Sequence, residues 1–285
     1  MIDEKIFMDF YIENVSEDIQ EAKEEYLKFS GQLKEFIDCY VRKNKCTDRK
    51  SDFLRLAYIY ANIWSNFSMC TMLNAGENVN NIAVGVVTTS VSNDILAIIS
   101  LASDGLDYQA MNILRNLYEL GLLLINICID EEKRVNYIKS AKKGNSYSVW
   151  RKYFNTKSMI ETIKSYSNND KIFKELKSFY PELSSFVHNS FMNVYVFSYS
   201  KPAKKDDNYN LNFGAHYVTR CESILEETVG IIWIFTRIFR HIMQDSKFEK
   251  LMTQLFIDDE MGLYKDACNG SYFADYYYLR IRNIR

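Results

Sequence analysis

Arg115 and Glu119 stand four residues apart in a stretch that is otherwise uncharged from Tyr108 to Ile129. On a helix that spacing puts both side chains on one face. Arg at i with Glu at i+4 is the weaker orientation for helix stability, worth at most a few tenths of a kcal/mol when exposed. The pair therefore reads as a structural tie between helices or as part of a site. Its site chemistry would be that of a phosphate, since a guanidinium holds the anion and stabilises developing negative charge. His188 brings an imidazole, the side chain best suited to general acid–base work. Arg115, Glu119 and His188 converging in one cleft would suit metal-independent phosphodiester cleavage, with a ribose 2′-OH as the internal nucleophile. Ser184 lies four residues before His188, so a Ser–His contact on one helix is available, though without a nucleophile elbow. The competing reading makes the same residues a buried polar network, because ion-pair networks imitate sites.

A second group could bind nucleic acid. From Lys139 to Lys164 there are seven cations against Glu161 alone, a net of +6. Tyr147, Trp150, Tyr153 and Phe154 are interleaved with them, which would combine phosphate contacts with base stacking. Lys142, Lys143, Trp150, Arg151 and Lys152 are the candidates. The competing reading is a solvated basic face whose aromatics pack inward. Any such attraction is local, because the whole chain carries a net charge of −2 and a pI near 6.0. The acidic start (Asp3, Glu4, Asp9, Glu13 and on to Glu25) could dock on a basic face, within the chain or across a dimer.

These residues must be positioned by helices. Apolar residues recur at helical spacing over 14–42, 51–74 and 79–103, with Ser51 as N-cap of the second. Gly105 in the DGLD turn breaks the third, and Asp107 can cap the next. At 100° per residue, Tyr108, Gln109, Asn112, Arg115, Asn116, Glu119 and Asn126 fall in a stripe about 120° wide. The remaining arc is apolar, which predicts a central helix of a bundle. Shorter charged helices fill 131–180, and Pro181 fits the first turn of another, PELSSFVHNS. Residues 191–213 alternate enough for a small β-hairpin, with a helical extension as the competing reading. A strong helix follows from His216 to about Gln244, then a Tyr-rich helical tail.

The 285 residues, 47% of them apolar with two prolines and ten glycines, suffice for a substantial helical core. Six scattered cysteines without a CxxC pair, and no export signal, read as reduced thiols. Three histidines argue against a zinc cage, and no Walker loop, GxGxxG, HExxH or EF-hand loop appears. No cofactor or metal is expected. No segment reaches the ~18–20 clean apolar residues of a spanning helix, so the expectation is a cytoplasmic protein with no membrane role.

Three segments together carry a resemblance: IISLASDGLDYQAMNILRNLYELG at 98–121, EEKRVNY at 131–137 and YPELSSFVHNS at 180–190. They resemble a bacterial all-helical family of largely uncharacterised proteins with an R-x-x-x-E helix, a later tyrosine and an S-x-x-x-H segment. That family is similar to the HEPN superfamily, whose helical bundles often act as RNases in toxin–antitoxin, abortive-infection and CRISPR-associated systems. The resemblance covers about 95–190 and maps onto Gly105, Ala110, Arg115, Glu119, Tyr137, Ser184 and His188. It adds Tyr137 to the candidate catalytic residues. One departure matters. HEPN RNases resemble each other in an Arg followed by a polar residue and, four to six residues on, a His. Here His188 has no arginine upstream on its own helix, and only three residues separate Arg237 from His241.

The expected architecture is an all-α bundle, HEPN-like in its middle. Residues 1–75 form an N-terminal helical region packed on the core, 76–246 the HEPN-like bundle and 247–285 a helical tail. Two functions follow. One is an RNA-directed effector of a bacterial defence or toxin–antitoxin module, acting as a metal-independent ribonuclease. The other is a non-catalytic binding or scaffold module in which Arg115, Glu119 and His188 are structural. The expected partners are RNA, a second copy of the chain as a homodimer, and a protein encoded nearby.

Overall fold

In a computed structural model the chain is an all-α multi-helix bundle. The structure describes residues 3–40, 51–76, 78–141, 146–167, 170–187, 199–200, 210–211, 220–256 and 259–284. Twelve α-helices lie among them: α1 (Glu4–Asn14), α2 (Ile19–Tyr40), α3 (Asp52–Leu73), α4 (Val79–Ser103), α5 (Asp107–Ile129), α6 (Glu131–Ser140), α7 (Ser146–Tyr153), α8 (Thr156–Ser167), α9 (Asp170–Val187), α10 (Cys221–Gln244), α11 (Glu249–Leu255) and α12 (Leu263–Ile284). One continuous cluster of buried apolar side chains runs from Phe7 to Ile281 and takes in residues of nearly every helix.

The central layer is α3, α4, α5 and α10. Ser51 caps α3 as its sequence predicts, its Oγ accepting the Leu54 N–H at 3.2 Å. Trp64 of α3 is fully buried, and its Nε1 donates to Thr236 Oγ1 of α10 at 3.2 Å. The indole thus fills the core without leaving its polar edge stranded. Between α4 and α5, Gly105 has φ +74°. Its N–H bonds the Ala102 carbonyl while the Leu106 N–H bonds the Leu101 carbonyl. This is the Schellman pattern, which needs a left-handed residue where glycine pays no Cβ penalty. On α5 every residue from Gly121 to Cys128 is buried. A Cβ at Gly121 would meet the Phe235 ring at 2.3 Å, so the missing side chain is what lets α10 approach.

Two helices, Val79–Ser103 and Asp107–Ile129, are long and apolar enough to cross a membrane by length and composition. This differs from the sequence reading, which found no clean apolar segment of spanning length. In the bundle 56% and 67% of their most apolar windows are buried against protein.

Three expectations change. The predicted helix over 14–42 starts at Ile19, and α1 precedes it as a separate helix. Asp18 makes the break, accepting the N–H groups of Gln20 at 2.7 Å and Glu21 at 3.1 Å. Asp107 does not cap its own helix. It is buried, and its Oδ2 instead accepts the Arg220 N–H at 3.0 Å, at the start of α10. Pro181 does not open a helix but lies inside α9. A proline there frees the carbonyl four residues back. That carbonyl belongs to Lys177, exposed like Pro181 itself, so water can satisfy it. The alternating segment agrees with the hairpin reading in a two-residue antiparallel pair, Tyr199 opposite Leu211 and Ser200 opposite Asn210.

One acid of the acidic start is paired within the chain. Asp9 of α1 pairs with Arg280 of α12 at 2.9 Å, while Phe7 and Phe10 pack on Phe273.

Candidate functional site

α9 runs antiparallel to α5, and three contacts fix the register. The Tyr118 hydroxyl donates to the Leu176 carbonyl at 2.6 Å, and the Tyr108 hydroxyl to the Phe186 carbonyl at 2.9 Å. Between them the Tyr180 ring lies 4.5 Å from Arg115 Cζ. Burial is the main cause holding the Tyr118 hydroxyl well above its ordinary pKa, with Arg115 opposing it. Tyr118 therefore stays a hydrogen-bond donor.

Within this frame Arg115 and Glu119 do meet. Arg115 Nη2 donates to Glu119 Oε1 at 2.5 Å. Arg115 is 7% exposed, whereas the Glu119 side chain keeps 31% of its surface in solvent. The guanidinium is thus an ion pair at one edge and a cation–π contact on one face. Its Nη1 is buried with no partner among the described residues. Tyr180 and Glu119 thus occupy the face and the edge by which a phosphate would be held.

Of the other described candidates, Ser184 lies near the pair on α9 and Tyr137 makes its contacts elsewhere. Ser184 is half-buried on α9, one turn past Tyr180 and on the same face. Tyr137 is half-buried on α6, with its ring 5.9 Å from that of Phe154 and its hydroxyl raised above its usual pKa by burial. Its described contacts are with Phe154 and Ser140, not with Arg115. His188, Lys142 and Lys143 lie outside the described residues.

The predicted polar stripe divides along α5. Gln109 and Asn116 are exposed, and Asn112 and Glu119 partly so. Asn126 is fully buried and centres a second network, which the helical projection alone did not separate. Its amide donates to the Leu122 carbonyl at 2.8 Å and the Met159 carbonyl at 3.1 Å. Lys133 Nζ donates to Asn126 Oδ1 at 2.6 Å and Thr162 Oγ1 at 2.5 Å. Burial lowers the Lys133 pKa, with the Asp130 carboxylate opposing. This knot ties α5, α6 and α8 together.

The basic segment is split. Val149 and Tyr153 of α7 pack toward the core, and Phe154 is 1% exposed. Tyr147 is 76% exposed and Trp150 39%, on the same side as the exposed Arg151. Lys152 is also exposed, its ammonium 4.6 Å from the Tyr153 ring. Tyr147 therefore faces solvent among cations, and Trp150 is part-exposed with its ring 5.6 Å from that of Phe154.

An open cleft of about 550 Å³ lies elsewhere, between the α8–α9 junction and α10. None of the candidates from the sequence lines it. Trp233, Arg237 and His241 do, and their i, i+4, i+8 ladder is the one signal the sequence held. Among the described residues no cluster of His, Cys, Asp and Glu is arranged to hold a metal ion.

Residues 82–179, about a third of the chain, match a family model described as a family of unknown function (DUF5677). The match runs from the first turn of α4 through all of α5, which carries Arg115 and Glu119, and ends just before Tyr180. No curated protein and no solved structure matches the chain.

Proposed function

We propose that the chain is a helical RNA-binding module whose binding face is α7, and in which Arg115 and Glu119 tie α5 to α9 without doing chemistry. The observation that carries the binding reading is the exposure of Tyr147 and Trp150 beside Arg151 and Lys152. A large aromatic partly in solvent next to exposed cations offers a base a stacking partner and its phosphate a counter-charge. A merely solvated basic helix would turn those rings inward, as it does Tyr153 and Phe154.

The ribonuclease built on Arg115, Glu119 and His188 is the reading this one replaces. A guanidinium sealed to 7% exposure beneath Tyr180 is placed to hold helices together rather than to receive a phosphodiester. A role as an RNA-directed effector in a cytoplasmic defence or toxin–antitoxin module rests on the HEPN-like resemblance. That role needs only the binding function. The homodimer expected from the sequence would use the apolar face formed by the end of α3 and the start of α4.

Fluorescence anisotropy with a labelled single-stranded RNA tests the binding face. Trp150→Ala is expected to weaken binding about tenfold, the effect of roughly one lost stacking contact of about 1–3 kcal/mol. Arg151→Ala should flatten the dependence of affinity on salt. Unchanged affinity in both variants would remove α7 from the function. The same RNA should stay intact with wild type. Cleavage by wild type that a folded Arg115→Lys variant loses would restore the catalytic reading.

A further inference from the structure

We propose that the cleft between the α8–α9 junction and α10 is a binding site for a small phosphorylated ligand carrying an aromatic ring, of the mononucleotide class. The proposal does not rest on the RNA reading, because the cleft shares no residue with α7.

The α10 wall is built by Trp233, Arg237 and His241, which repeat every four residues and so share one helix face. They stand over Ile234 and Ile238, which are 6% and 4% exposed and make an apolar floor. About 550 Å³ is the size of a small-molecule site.

Two arginines line the cleft, and their surroundings differ. Arg240 is committed to the fold: Nη2 donates to Asp275 at 2.9 Å, Nη1 to the Ser271 carbonyl at 3.1 Å, and Tyr272 covers its face at 4.3 Å. Arg237 is exposed and has no ion pair among the described residues. Its Cζ lies 4.9 Å from the Trp233 centroid, so the guanidinium is held by its face while its N–H edge is open to the cleft. An arginine presented this way suits bidentate contact with a phosphate.

The wall that presents it is rigid. Trp233 Nε1 donates to Asp275 Oδ1 at 2.6 Å, and its ring packs on Tyr278 at 4.9 Å. Asp275 therefore fixes both Trp233 and Arg240, and Trp233 in turn aims Arg237. Opposite, Tyr166 is anchored by its hydroxyl to Asp245 at 3.3 Å, with its ring 5.9 Å from His241. It offers a flat surface for a ring at the end of the cleft where His241 can donate a second hydrogen bond. Lys171 and Glu175, on α9, complete the charged rim. Arg240 is already neutralised by Asp275, so an anion would rest on Arg237, with Lys171 and Glu175 balancing each other on the rim.

Isothermal titration calorimetry of the full chain with AMP, adenosine and inorganic phosphate tests the assignment. AMP should bind, phosphate more weakly, and adenosine not measurably at the same concentrations. Arg237→Met and His241→Gln should each weaken AMP at least tenfold with an unchanged thermal midpoint, since both side chains are exposed. Trp150→Ala should leave AMP binding unchanged, which separates this site from the α7 face. Absence of AMP binding at millimolar concentration, equal binding of AMP and adenosine, or full affinity in Arg237→Met would overturn the proposal.

Discussion

The ring of Tyr180 covers the guanidinium of Arg115, with Cζ 4.5 Å from the ring centroid. One residue of α9 thus closes the face of an ion pair that α5 makes within itself. The Tyr118–Leu176 and Tyr108–Phe186 hydrogen bonds hold the two helices in that register on either side. The arrangement treats Arg115 as a clamp, and a clamp predicts losses of stability.

Glu119→Ala strands a guanidinium that is 7% exposed, whereas Arg115→Ala strands a carboxylate that still reaches solvent. Removing one partner of a buried pair costs about 3–5 kcal/mol, and replacing both with apolar side chains costs much less. Glu119→Ala should therefore be the most destabilising of the set in urea unfolding. The double variant Arg115→Met with Glu119→Leu should recover most of the loss. A double variant as unstable as Glu119→Ala would show that the charges themselves, not their mutual satisfaction, hold the helices.

How far this arrangement could be read from the sequence depends on the distance over which each partner lies. The α4–α5 turn was legible because Asp104-Gly105 punctuates two long periodic runs, and the pairing of Arg115 with Glu119 because it spans one helical turn. Tyr180 was not, since it lies 65 positions beyond Arg115 and nothing local marks which helix crosses α5. Asp107 has the residue type of a cap, and only the tertiary placement of Arg220 reveals which helix it serves. The break between α1 and α2 carries no Gly or Pro, so the charged, half-apolar pattern reads through it. The cleft on α10 had a visible ladder in Trp233, Arg237 and His241, but its opposite wall comes from α8 and α9.

Gly121→Ala places a methyl group 2.3 Å from Phe235 Cδ2, inside contact distance. Both helices are buried here, so the ring cannot swing into solvent. Overpacking of this kind costs about 1–3 kcal/mol, more than the small gain in helix propensity from replacing glycine. Phe235→Leu in the same chain should return part of that loss in a urea titration. Independent, additive losses from the two substitutions would show that they do not share the contact.

Glu227 of α10 has its carboxyl pushed up to about 7, first by burial and then by the Glu182 carboxylate of α9. Folding therefore favours the protonated acid, while the unfolded chain titrates near the ordinary glutamate value of about 4.3. The contribution is fully present below pH ~4.3 and is lost as pH rises through 7. The loss is on the order of 1–3 kcal/mol. Glu227→Gln keeps the neutral form at every pH. Its thermal midpoint should match wild type near pH 4.5 and exceed it at pH 8. Parallel pH profiles for the two proteins would remove Glu227 from the titration.

The end of α3 and the start of α4 leave an apolar face in solvent. Met69, Met72 and Leu73 are 45%, 45% and 64% exposed, and Val79, Ile82 and Val86 are 53%, 39% and 47% exposed. The two groups adjoin, because a Cβ at Gly85 would touch Met72 Sδ at 2.6 Å. Val79, Ile82 and Val86 recur at i, i+3 and i+7, so they form one stripe. Contiguous apolar patches beyond a few hundred Å² are uncommon on monomers, and a two-fold dimer would bury the same stripe on both copies. Light scattering should then give twice the mass of one chain for wild type. Val86→Glu should give a single-chain mass, because pairing would bury two like charges together. The substitution lies on the surface, so the thermal midpoint of the isolated chain should move by no more than about 0.5 kcal/mol in stability. A wild-type protein of single-chain mass at tens of micromolar would sink the dimer, and a Val86→Glu protein that still pairs would move the interface elsewhere.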